Sequence, residues 1–134
     1  MSAKKIRRAY LIDDDTINNF LCKKILEKSG LIEEVVLFEE ATKALANITQ
    51  ALQTSDMLPS LILLDINMPV MNGWEFMEAY QKLGKPVADI RLFILSSSSN
   101  EQDMEKAKKY PLILDYLTKP IGVKHIQQLA ERFF

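Results

Sequence analysis

The sequence is poor in the residues that staple or punctuate small proteins. It has one cysteine, one histidine, one tryptophan, four glycines and five prolines in 134 residues. A single cysteine, Cys22, excludes an internal disulfide framework and a cysteine-rich zinc site. It lies among apolar residues at helical spacing and reads as a packed thiol. An excess of one charge sign is also missing. Seventeen Lys and Arg face 18 Asp and Glu, a net charge of −1, which removes any electrostatic ground for binding nucleic acid or a membrane surface. No apolar run approaches the ~20 residues of a membrane span. The basic N-terminal stretch meets only a short apolar run, 9–12, and then three aspartates, so it does not read as a secretory signal. With 48% hydrophobic residues the chain can bury a core without staples. The expectation is one cytoplasmic domain over 1–134, with no effector domain.

What is present is an alternation of apolar runs and helical patterns. Runs at 9–12, 35–38, 61–64, 92–95 and 113–117 are mostly continuous rather than alternating, which suits strands buried on both faces of a parallel sheet. Helical periodicity predicts helices over 16–28, with Ile17, Leu21 and Ile25 inward, and over 41–52. Three more are predicted over 73–83, over 100–109 with Met104 and Ala107 as anchors, and over 123–133. Ser99 and Gln102 have capping-box spacing for the fourth. The segment 54–59 is polar enough to be a surface connection. This is a β-α unit five times over, and right-handed crossovers then place helices on both faces of an open sheet.

Ligands of such sheets bind beyond the carboxyl ends of the strands. The polar residues there are Asp13-Asp14-Asp15, Asp65, Ser96-Ser97 and Lys119. Clustered carboxylates repel and call for a cation. Hard oxygen donors favour magnesium, and no His/Cys cluster favours zinc. A carboxylate beside Mg²⁺ and a lysine can attack phosphorus, while the two cations neutralise charge on the transferred oxygens.

Leu11-Ile12-Asp13-Asp14-Asp15, Leu63-Leu64-Asp65-Ile66-Asn67-Met68-Pro69 with Asn72-Gly73, Ile94-Leu95-Ser96-Ser97 and Tyr116-Leu117-Thr118-Lys119-Pro120 occur in this order. Together they resemble the response-regulator receiver family in its stand-alone, chemotaxis-receiver-like form. The resemblance implies a flavodoxin-like, doubly wound (βα)5 three-layer sandwich with a parallel five-stranded sheet of order 2-1-3-4-5. It implies Asp65 as phosphoacceptor, Asp13 and Asp14 as the acidic pair for Mg²⁺, and a metal-binding backbone carbonyl at Asn67. Lys119 would contact phosphate and precede a cis bond to Pro120; Ser96 and Tyr116 would be the switch pair. The implied donor is a sensor histidine kinase or a histidine phosphotransfer protein. The implied output is a change of the face made by the fourth helix, fifth strand and fifth helix, around Lys106, Lys109, Tyr116, Lys124 and Gln127. There a downstream protein, or a second copy in a phosphorylation-dependent dimer, would dock on the monomer. The chain departs from the family at the four serines 96–99, at Leu114-Asp115 and at Lys108-Lys109-Tyr110-Pro111.

Two rival readings are weaker. A haloacid-dehalogenase-like phosphatase needs a second acid two residues after the nucleophile, and Asn67 stands there, unable to give a proton. A degenerate receiver acting as a phosphorylation-independent interaction module would lack an acid or the lysine; all are present. Trp74, close to Asp65 in sequence, reads as packing or a surface aromatic, His125 as exposed or partly packed, and Met68 and Met71 as shapers of the loop.

Overall fold

The computed structural model describes residues 5–54 and 57–134; part of the connection expected at 54–59 lies outside them. The strands are β1 (Ile6–Ile12), β2 (Ile32–Phe38), β3 (Leu61–Leu64), β4 (Arg91–Ser96) and β5 (Ile113–Thr118). They form one parallel sheet of order β2-β1-β3-β4-β5. Helices α1 (Thr16–Lys28), α2 (Ala41–Thr54), α3 (Gly73–Gln81), α4 (Glu101–Ala107) and α5 (Val123–Phe133) alternate with them.

The period of two along each strand divides the core into two layers. Tyr10, Ile12, Ile62, Leu64, Leu92 and Ile94 pack toward the helices α2, α3 and α4. Ala9, Leu11, Leu61, Leu63, Phe93 and Leu95 pack with Cys22 and Leu26 of α1 and Ile126 and Leu129 of α5. Burial on both faces is why the three central strands read as unbroken apolar runs. The β4–β5 register shifts between Leu92 and Phe93, skipping Leu114. This bulge leaves Leu114 at 39% exposure and brings Tyr116 opposite Ile94.

Several expectations need correction. In α1 the inward residues are Asn19, Cys22 and Leu26, whereas Ile17 and Leu21 are 72% and 56% exposed. Of the apolar stripe expected to face the core, Ile17 and Leu21 face out and Ile25 packs partly against it, because polar Asn19 is needed inside, beside the first strand's end. The fourth helix is shorter than 100–109. Its cap is Asn100, whose side chain accepts from the Gln102 amide at 2.7 Å, in place of Ser99. Met104 is exposed and Ala107 alone is buried. The third helix stops at Gln81, short of Leu83, and the second runs on to Thr54.

The loop after β3 stores strain. Val70 has φ 68°, and the Met71 amide donates to the Pro69 carbonyl at 2.8 Å, closing a three-residue turn of the rarer positive-φ kind. A β-branched residue there is unfavourable by about 1–3 kcal/mol, and at 86% exposure Val70 recovers little by packing. Val70→Gly is expected to stabilise the protein by about 1 kcal/mol, since glycine has no Cβ to clash at positive φ. A urea midpoint at or below the parent's would contradict that account.

Candidate functional site

The backbone ladder continues past the strands and lines up the polar residues. The Asp65 amide donates to the Ile12 carbonyl, the Asp13 amide to that of Phe38 and the Lys119 amide to that of Ser96, each at 2.9 Å. Asp13 and Asp65 are thereby buried, at 4% and 6% exposure, while Asp14 is exposed. The Lys119 ammonium donates to Asp13 Oδ2 and lies 3.8 Å from Asp65 Oδ2. The Lys119–Pro120 bond is cis.

The first turn of α1 holds Asp13 in place. Asp13 Oδ1 accepts from the Asp15 amide at 2.9 Å and Oδ2 from Asn18 Nδ2 at 2.8 Å. Its carbonyl accepts from buried Asn19 Nδ2 at 2.7 Å. Asp15 caps the helix, accepting from the Asn18 amide at 3.0 Å. Sequence reasoning missed Asn18 and Asn19. Two short amide side chains in the first turn after an acidic run were the signal that could have found them.

One ammonium serves two buried carboxylates. The Asp65 carboxyl is pushed up to about 6, first by burial and then by the Asp13 charge. Lys119 and the Asn67 amide, which donates to Asp65 Oδ1 at 3.5 Å, oppose that rise. One carboxylate oxygen from each of Asp13, Asp14 and Asp65 lies within 4.8 Å of the others. Mg²⁺ takes oxygens at about 2.0–2.1 Å, so opposite ligands stand about 4 Å apart. Three hard donors at this spacing, two of them buried, fit a small divalent ion. Cys22 is not part of this chemistry: burial pushes its thiol up to about 12.

The four serines differ in position. Ser96 ends β4 and is fully buried, whereas Ser97 and Ser99 are exposed. Ser96 Oγ accepts from the Ser98 amide at 3.1 Å. The Ser98 hydroxyl donates to Asp103 Oδ2 at 3.0 Å, and its carbonyl accepts from the Tyr116 hydroxyl at 2.6 Å. Ser98 and Asp103 thus tie Ser96 and Tyr116 to α4. Asn67 is exposed, and Met68 is buried against the core. His125 is exposed, and its Nδ1 accepts from the Gly122 amide at 3.1 Å, closing the start of α5.

Comparisons with known proteins agree with this fold. The model of the response regulator receiver domain family matches residues 9–131. The crystal structure of a response regulator receiver protein from Dyadobacter fermentans is 36% identical, with 96% of this chain and 98% of that one covered and a TM-score of 0.84. A two component response regulator from Cytophaga hutchinsonii is 29% identical over 96% of each chain, with a TM-score of 0.87. Among curated proteins, response regulator Rcp1 of Synechocystis is 28% identical over 90% of this chain and 82% of its own length. The chain spans only 32% of a protein-glutamate methylesterase/protein-glutamine glutaminase of Methanococcoides burtonii and 54% of a tetrathionate response regulatory protein of Salmonella typhimurium. Among the described residues no helix is long and apolar enough to cross a membrane. A family match over nearly the whole chain, on a sheet of the expected order, makes this chain a member of the response regulator receiver domain family, a signalling domain of two-component systems.

Proposed function

We infer that Asp65 is the phosphoacceptor, taking its phosphoryl group from a phosphohistidine of a sensor histidine kinase or a histidine phosphotransfer protein. The observation that carries this is the buried Asp65 carboxylate set beside Asp13, with a single ammonium between them. An Asp65 oxygen attacks phosphorus, an acyl-phosphate O–P bond forms, the P–N bond breaks, and the imidazole leaves with its electron pair and takes up a proton. Asp13, Asp14, Asp65 and the Asn67 carbonyl would hold Mg²⁺, which supplies charge neutralisation at the phosphoryl oxygens. Lys119 and the Ser96 hydroxyl are the donors toward those oxygens.

Phosphorylation then biases the face of α4, β5 and α5. A hydrogen bond to a charged group contributes about 1.5–3 kcal/mol, whereas moving an equilibrium from 1:99 to 99:1 takes about 5.5 kcal/mol. Ser96 alone cannot throw the switch; Lys119, Tyr116 of β5 and the loop that carries Ser98 must contribute. The output is docking of a downstream protein or of a second copy. A phosphatase reading is disfavoured by the absence of an acid at Asn67.

Intact mass after treatment with acetyl phosphate and Mg²⁺ tests the assignment. One phosphoryl group per chain is expected, with none on Asp65→Asn and no turnover of para-nitrophenyl phosphate. Equal modification of Asp65→Asn would remove Asp65 from the role.

A further inference from the structure

Trp74, Tyr110 and Lys106 have no part in the chemistry above, yet they join two helices. Gly73 opens α3 directly on the backbone of the acceptor strand. Its amide donates to the Ile66 carbonyl at 3.0 Å, and a Cβ placed there would lie 2.8 Å from the Asp65 carbonyl oxygen. The next residue, Trp74, stacks on Tyr110, with ring centroids 5.8 Å apart and planes 11° apart. Tyr110 follows α4: its amide donates to the Ala107 carbonyl, and its own carbonyl accepts from Ile113 at the start of β5. Its hydroxyl donates at 2.8 Å to Glu78 Oε2, one turn beyond Trp74 on α3. Lys106 of α4 places its ammonium 5.3 Å from the Trp74 ring centroid. Two residues of α3 therefore grip the last turn of α4 and the segment leading to β5.

We propose that Trp74 and Tyr110 form a clamp that holds α4 in its resting position and couples it to the backbone of Asp65. This deepens the reading of Asp65 as phosphoacceptor and rests on it. The two ends of α4 are then governed separately, its start through Ser98 and its end through the clamp. Helix α4 is short, with Ala107 its one buried residue, so its own packing on the core is slight and such tethers decide its position. A shift of α4 must separate the rings or drag the first turn of α3, which has no slack against Asp65. Loosening the clamp therefore lowers the cost of the shift and raises the population of the shifted state.

The test uses beryllofluoride with Mg²⁺, a phosphoryl mimic, on the parent and on Tyr110→Leu, Tyr110→Phe and Trp74→Leu. In the parent, emission of the single tryptophan is expected to change with the same midpoint as beryllofluoride occupancy. In Tyr110→Leu that change should fall by half or more. Amide exchange of residues 101–107 without beryllofluoride should move toward the bound level, and beryllofluoride should bind about fivefold tighter, the lower end of ordinary coupling factors. Tyr110→Phe keeps the ring stack and should lie between; it decides the matter should either leucine variant fail to fold. Unchanged affinity and exchange with a lowered melting temperature would reduce the clamp to packing, and weaker binding would also overturn it. Absence of beryllofluoride binding to the parent overturns the acceptor reading and the clamp with it, whereas binding without a response of Trp74 or α4 overturns the clamp alone.

Discussion

Gly73→Ala is expected to slow phosphorylation of Asp65 by acetyl phosphate about a hundredfold while lowering stability by about 2 kcal/mol. The added Cβ would sit 2.7 Å from Ile66 Cα and 2.8 Å from the Asp65 carbonyl oxygen. Both neighbours are backbone, so no side chain can rotate away. Either α3 lifts or the end of β3 moves. Overpacking of this kind ordinarily costs about 1–3 kcal/mol. The chemical cost is larger because Asp65 must meet phosphorus along one line, and a misplacement of about 1 Å can lose a factor of about a hundred. Gly30→Ala is the control. Gly30 has φ 72° with nothing near its would-be Cβ, so alanine there strains the backbone at the end of α1, far along the chain from Asp65. It should lose a similar amount of stability by urea unfolding and keep the parent's rate by intact mass. Equal rates for Gly73→Ala and the parent would show that the acceptor strand does not depend on this contact.

The contrast between those glycines shows what a sequence carries and what it withholds. Asn72-Gly73 was visible as part of a motif, but the reason for the glycine, an approach of two backbones, is a tertiary fact. Strands β1, β3 and β4 were legible because burial on both faces leaves runs of apolar residues, and the polar residues at their ends announced Asp13, Asp65 and Ser96, as the end of β5 announced Lys119. The face of α1 was misread for an intelligible reason. Ile17, Leu21 and Ile25 make a better apolar stripe than Asn19, Cys22 and Leu26, but Asn19 has to reach the Asp13 carbonyl at 2.7 Å. That hydrogen bond turns the helix so that Ile17 and Leu21 face outward. The extent of α4 was misread because one buried alanine gives almost no periodic signal. Asp103, Glu78 and Tyr110 could not have been placed from spacing, since each acts on a partner in another element.

Lys119→Met is expected to lower the stability of the metal-free protein by about 3 kcal/mol, with part of the loss returned by Mg²⁺. The Asp13, Asp65 and Lys119 side chains are 6%, 8% and 13% exposed. Methionine keeps most of the stem's packing but leaves two buried carboxylates facing one another without a cation. Breaking a buried pair in this way typically costs about 3–5 kcal/mol. The lower end applies here because Asp65, already displaced upward to about 6 by burial and by Asp13, can take a proton and cap the loss. Mg²⁺ returns positive charge to the same carboxylates, and in the variant it no longer competes with the ammonium. It should therefore bind more tightly. A tenfold gain in affinity raises its stabilisation from about 2.7 to about 4.1 kcal/mol at a concentration one hundred times the parent's Kd. Urea unfolding in chelator and in Mg²⁺ should thus show the gap between variant and parent narrowing by about 1.4 kcal/mol when the metal is added. The function does not return with the stability. With the proposed Lys119 donor gone from the phosphoryl oxygens, exchange in α4 should respond less to beryllofluoride in the variant than in the parent. An equal deficit with and without Mg²⁺ would separate Lys119 from the metal-binding carboxylates, and a full α4 response would remove it from the switch.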